Sequence, residues 1–135
     1  MKTIHIITVA YNLPDATELL FNTAVERGTK KYDLHFHLFL HSERPDTVNM
    51  CEKLASTYGP RVTYYPYGQN RGLSKSWNEG LLEAGKFNAD IRMIVNDDIF
   101  FSENDLDKIA DKALAHPECH MVSCAGHHTS FNKKW

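Results

Sequence analysis

Ile91-Arg92-Met93-Ile94-Val95-Asn96-Asp97-Asp98 decides the fold. Ile91 to Val95 is short and nearly all apolar, the pattern of a strand covered on both faces of a parallel sheet. An amide and two acids close it, so polar side chains gather at its carboxyl end. Upstream, Asn70-Arg71-Gly72 leads into a helix carrying Leu73, Trp77, Leu81 and Ala84 on one side, and Arg61 to Pro66 reads as the strand before it. Further back, Leu34 to Leu40 alternates with His35 and His37 as a second strand sharing one half-polar face. Asp46 is the expected cap of a helix with the stripe Val48, Cys51, Leu54, Ala55 and Tyr58. Ile4 to Val9 is a β-branched run, and Asp15 is the expected cap of a helix burying Ala16, Leu19, Leu20, Thr23 and Ala24. Downstream, Ser102 is the expected cap of a helix with Leu106, Ile109, Ala110, Ala113 and Leu114 inward, and His120 to Ala125 reads as a fifth strand. Five strands alternating with four helices predict an α/β fold, a mostly parallel sheet with helices on both faces. Ligands of such sheets bind beyond the carboxyl ends of the strands.

The 135 residues are 42% hydrophobic and 24% charged, which suits a single domain over 1–135. Fifteen Lys and Arg against 17 Asp and Glu leave a net charge of -2. No bulk electrostatic grip on nucleic acid follows from that balance. No apolar run reaches the ~18 residues of a membrane span. Met1 to Ala10 has the lysine and apolar run of a leader, but Tyr11-Asn12-Leu13-Pro14-Asp15 follows where a cleavage site would stand. Three cysteines without framework spacing fit free thiols in a reducing compartment, so the expected location is cytoplasmic.

Two segments carry chemistry. Asp97 and Asp98 directly follow an apolar strand, where adjacent carboxylates repel unless a proton or a positive group joins them. A hard divalent cation holding a substrate's phosphates is one partner, and a plain turn favoured by Asn and Asp is the other reading. The second segment, Asn70 to Gly80, runs from a loop into a helix with Gly72 at its start, where exposed amides suit an anion and Arg71 and Lys75 add charge. It lacks the Gly-Lys-Ser/Thr ending of a phosphate loop and the dinucleotide glycine fingerprint. Gly80 within the helix implies a tight contact with the sheet or a neighbouring loop.

Taken together, Thr8-Val9-Ala10-Tyr11-Asn12, then Asn70-x-Gly72 with Asn78-x-Gly80, then a strand ending Asn96-Asp97-Asp98, resemble the family-two glycosyltransferases of the GT-A fold. The resemblance covers the whole chain and implies a Rossmann-like GT-A sandwich comprising the nucleotide-sugar-binding half. It implies that Ala10, Tyr11 and Asn12 line the base pocket, and that Asn70, Gly72 and Asn78 approach the donor with Arg71 and Lys75 nearby. It further implies that Asn96 and Asp98 flank Mg²⁺ or Mn²⁺ on the diphosphate while Asp97 faces the sugar or ribose. The implied function is transfer of a sugar from a UDP-, GDP- or dTDP-type donor to an acceptor hydroxyl. The alternative is a non-catalytic module of the same fold that binds a nucleotide sugar or a partner.

Two departures stand out. Leu40-His41-Ser42-Glu43-Arg44-Pro45-Asp46 stands in the loop where the family usually carries an Asp-Asp-Gly-Ser stretch whose first acid reads the base, and Asn96 replaces the first acid of the metal motif. The family's acceptor half and general base normally follow position 126, where this sequence offers His127 and His128 and no Asp or Glu. A homo-oligomer or a partner subunit supplying the acceptor site is the corresponding expectation. A response-regulator-like domain would place its acids after the first strand, where Thr8-Val9-Ala10 has none. His116, Cys119, His120, Cys124, His127 and His128 look zinc-like in composition but lack a second Cys pair, and Cys51 reads as core. Asp105, Asp107, Lys108, Asp111 and Lys112 read as a solvated helix face.

Overall fold

The computed structural model describes residues 1–119 and 121–123. Four strands and four α-helices alternate along them: β1 (Thr3–Ala10), α1 (Pro14–Thr23), β2 (Asp33–Leu40), α2 (Pro45–Tyr58), β3 (Val62–Tyr65), α3 (Leu73–Lys86), β4 (Ile91–Ile94) and α4 (Asp105–Ala115). The strands form one sheet in the order β3-β2-β1-β4, every pair parallel. The expected α/β architecture with helices on both faces is therefore present, with four strands among the described residues. Half of the expected fifth strand, His120 to Ala125, lies outside those residues, and Met121 to Ser123 carry no strand pairing.

Alternation along β1 and β2 sorts the core into two. Ile4, Ile6, Phe36 and Leu38 point to the face where Leu20, Phe21, Cys51, Leu54, Leu106 and Ala110 pack, so α1, α2 and α4 cover it. Ile7, Val9 and Phe39 point to the other face, against Ala84, Trp77 and Leu81 of α3. The sheet contact expected of Gly80 is there: a Cβ on it would lie 2.5 Å from Ile7 Cγ2.

Several local expectations are corrected. Neither Asp15 nor Asp46 caps a helix; Pro14 and Pro45 start α1 and α2, with Leu13 and Arg44 at the cap positions and no side-chain cap bond. Proline's fixed φ suits the first helical position, where its missing N–H is no loss. Ser102 does not cap α4 either: Asn104 stands at the cap position with no side-chain cap bond, and the Ser102 N–H donates to Asp105 Oδ2 at 2.7 Å. In α1, Leu20, Thr23 and Ala24 are buried as expected, but Thr17 and Phe21 are inside and Leu19 is exposed. The chain then loosens into a π turn over Ala24–Gly28, whose neighbour Thr23 accepts the Phe101 N–H at 2.9 Å. Asp107 is buried rather than solvated, accepting from Thr29 Oγ1 and from the Lys30 N–H at 3.0 Å. β4 is not covered on both faces; it pairs only with β1 among the described residues and exposes Arg92 and Ile94.

His35 and His37 do share a face, and register adds His5 beside His35. His5 Nδ1 and His37 Nε2 are 2.8 Å apart, and His37 Nδ1 is 2.9 Å from the Tyr65 hydroxyl. Burial is the first reason that His5 falls to a pKa of about 4 and His37 to about 3, with neighbouring histidines the second. Both rings are neutral near pH 7.

Candidate functional site

The carboxyl ends of β1, β2 and β4 meet the start of α3 around a cleft of about 290 Å³. Its lining comes from Val9, Tyr11 and Leu13 after β1, His41 after β2, Asn70, Leu73 and Trp77 at the start of α3, and Val95, Asn96 and Asp97 after β4. One bond ties the two most distant segments together: the Tyr11 N–H donates to Asp97 Oδ2 at 2.9 Å. Asp97 and Asp98 occupy a turn, so the plain turn reading describes the backbone. It does not describe Asp97's environment. Burial, then the charge of Asp98, raise its pKa against the opposing pull of the Tyr11 N–H.

The sequence-predicted residues divide into those the cleft gathers and those it does not. Tyr11, Asn70, Asn96 and Asp97 line it. Ala10 is buried at the end of β1, where its carbonyl accepts the His41 N–H at 3.0 Å. Asn12 has a left-handed φ of 58° and accepts from Ser42 Oγ, fastening the loops after β1 and β2 to each other. Gly72, at φ 88°, starts α3 and donates its N–H to Asn70 Oδ1 at 3.0 Å. A Cβ there would meet nothing within 4 Å, so glycine is needed for the backbone angle rather than for close approach. Lys75 and Asn78 are exposed on α3 outside the lining, and Asp98 is exposed on its turn.

Arg71 is held rather than free. Its Nη2 pairs with Glu79 at 2.5 Å, its Nε–H donates to Ser76 Oγ at 3.1 Å, and its Cζ sits 3.6 Å from the centre of the Tyr67 ring. The Tyr67 hydroxyl donates to the same Glu79 at 2.7 Å. Burial first, and the Arg71 charge second, lower the pKa of His41.

A model of glycosyl transferase family 2 matches residues 5–135. The chain belongs to that family. No curated protein matches it. As a family-2 glycosyltransferase domain, it places its polar residues where an open parallel sheet offers a binding edge. Among the described residues no three His, Cys, Asp or Glu side chains converge on a metal position, and no helix is long and apolar enough to cross a membrane.

Sequence reasoning missed His41 as a cleft residue, together with Ser76 and Glu79 behind it. The signal was present: His41 is the first residue after β2, at the edge where ligands bind. Leu13, Leu73 and Trp77 were also passed over as lining, because an apolar cleft wall and a core stripe read alike in sequence. Cys51 is buried as expected, its thiol pushed up to about 12, first by burial. His116 and Cys119 are exposed, while His120, Cys124, His127 and His128 lie outside the described residues.

Proposed function

We propose that this family-2 domain binds a nucleoside-diphosphate sugar of UDP, GDP or dTDP type in the cleft and passes the sugar to an acceptor hydroxyl. The observation that carries the reading is the clasp between Tyr11 and Asp97, which sets a polar turn beside a cleft with an aromatic wall. Tyr11, about half exposed, serves the base from a loop that Ala10 and Asn12 hold in place. Asn70, with Leu73 and Trp77, forms the wall toward the donor, and Gly72 sets the backbone angle from which it rises. Arg71 and Lys75 add positive potential, Arg71 as the brace of that wall.

Asn96 and Asp98 would hold Mg²⁺ or Mn²⁺. They supply oxygen ligands only, which suits a hard cation that keeps its waters and takes the rest of its shell from phosphate. The half-buried Asp97 beside a second carboxylate is a place where a positive group is favoured. When bound, the metal supplies charge neutralisation on the departing diphosphate. Exposed Ile94, Ile99 and Phe100 beside this edge are, in this reading, where a second copy or a partner subunit completes the acceptor side.

The test is turnover of UDP-, GDP- and dTDP-sugars with Mn²⁺, in wild type and Asp98→Ala. Loss of even an outer-shell metal partner costs roughly 10–100-fold, so Asp98→Ala should lose at least that. Unchanged turnover in the variant, or in wild type stripped of divalent metal, contradicts the reading.

A further inference from the structure

Ser76 is fully buried in α3 and does not line the cleft, yet it joins two residues that bear on it. Its Oγ accepts from Arg71 Nε at 3.1 Å and lies 2.7 Å from His41 Nε2. Arg71 does not deprotonate in proteins, so the first bond runs one way only. Glu79 and the Tyr67 ring fix that guanidinium in place. Ser76 then has its single hydrogen free for His41 Nε2. A neutral imidazole carries one N–H; with Nε2 accepting, that hydrogen sits on Nδ1. The opposite tautomer would aim two donors at Ser76 Oγ and leave the hydroxyl hydrogen with no acceptor among the described bonds.

Asn70 lines the same cleft as His41. Asn70 Oδ1 accepts the Gly72 N–H at 3.0 Å. The Asn70 carbonyl oxygen is thus engaged on the protein side. Its NH₂ group remains, on a residue that lines the cleft.

We propose that Arg71 and Ser76 form a one-way hydrogen-bond relay that sets His41 in its Nδ1–H tautomer, so that the cleft wall presents two N–H donors, His41 Nδ1–H and the Asn70 amide held by Gly72, to acceptor atoms of the ligand. Those acceptors are carbonyl or ring-nitrogen atoms of a base, or phosphate oxygens. Ser76 is a positioning residue, acting on the ligand only through His41, which lines the cleft. The relay stands on its own geometry; only the ligand's identity rests on the donor-site reading.

Nitrogen-15 NMR of the histidine rings tests the relay without any ligand, with the His41 signals assigned by their loss in His41→Asn. Wild type should show the Nδ1–H tautomer, and Ser76→Ala should shift the ring toward Nε2–H while still melting cooperatively. Nε2–H in wild type, or no change in Ser76→Ala, overturns the relay. Calorimetric titration with UDP, uridine and pyrophosphate then locates the acceptor. One hydrogen bond is worth up to about tenfold in affinity. Ser76→Ala and His41→Leu should each lose roughly that, and His41→Asn, which keeps a donor near the Nδ1 position, should retain most of it. Loss confined to uridine and UDP marks the base; loss confined to pyrophosphate and UDP marks the phosphates. Equal affinity in all variants overturns the positioning role. Absence of binding by wild type contradicts the donor site instead and leaves the tautomer to decide the relay.

Discussion

The two faces of the sheet are made by the same strands, and only one of them adds a row of histidines to its apolar core. Toward α1, α2 and α4, β1 and β2 present Ile4, Ile6, Phe36 and Leu38 to a dry interior, where Phe21 stacks on Phe36 with ring centres 4.2 Å apart. Toward α3 they present Ile7, Val9 and Phe39 together with His5, His35 and His37, the histidines bound among themselves and to Thr63 and Tyr65. The first face is covered by three helices and the second by one. Adhesion on the first comes from apolar area. On the second, one helix has to come close, which Gly80 permits, and polar groups have to satisfy each other.

The largest effect should come from the dry face. Phe36→Ala deletes a fully buried ring and should cost about 3–5 kcal/mol in chemical denaturation; a loss under about 1 kcal/mol would mean that this face is not the main source of adhesion. On the α3 face, Gly80→Ala forces a methyl against the Ile7 side chain and should cost about 1–3 kcal/mol. A neutral result there would show that α3 rides farther from β1 than described.

Acid should separate the faces without mutation. His5 and His37 have folded pKa values of about 4 and about 3, below the 6.5 of the unfolded chain. The unfolded state therefore binds protons first. Their neutral burial is without penalty above about pH 6.5, and stability falls as pH drops from there toward 4 and then 3, by roughly 1.4 kcal/mol per pH unit for each ring. His37→Gln should flatten denaturation midpoints measured between pH 7 and 4. An unchanged slope would relocate the effect elsewhere. The smallest effect belongs to the cleft: Asp97→Asn keeps an acceptor for the Tyr11 N–H and removes a burial-strained charge beside Asp98. Its Tm should rise slightly, as expected where function holds a group against stability.

How legible each face was follows from what holds it. Alternation and β-branched runs announced the strands, and helical stripes announced the layers, because apolar burial writes itself locally at periods of 2 and 3.6. Polar pairing does not. His5 passes unremarked within the β-branched run of the first strand, and only register sets it beside His35. Asp107 looked solvated because its partners Thr29 and Lys30 are far away in sequence. Asp15 and Asp46 look like caps only if the proline before each is not itself allowed to start the helix. At the cleft, Tyr11, Asn70, Asn96 and Asp97 were readable because strand ends locate the binding edge. His41 was readable only as a missing carboxylate, since its role depends on Ser76 and Arg71.

The donor site is tested most directly by melting wild type and Asp98→Ala with UDP-, GDP- and dTDP-sugars, each with and without Mn²⁺. A ligand at about a hundred times its Kd adds roughly 2.7 kcal/mol to the folded state, a plain rise in Tm for a domain of this size. The account predicts a rise with one nucleotide class that needs the metal and disappears in Asp98→Ala. A cooperative melt that no donor shifts, with or without Mn²⁺, would contradict it.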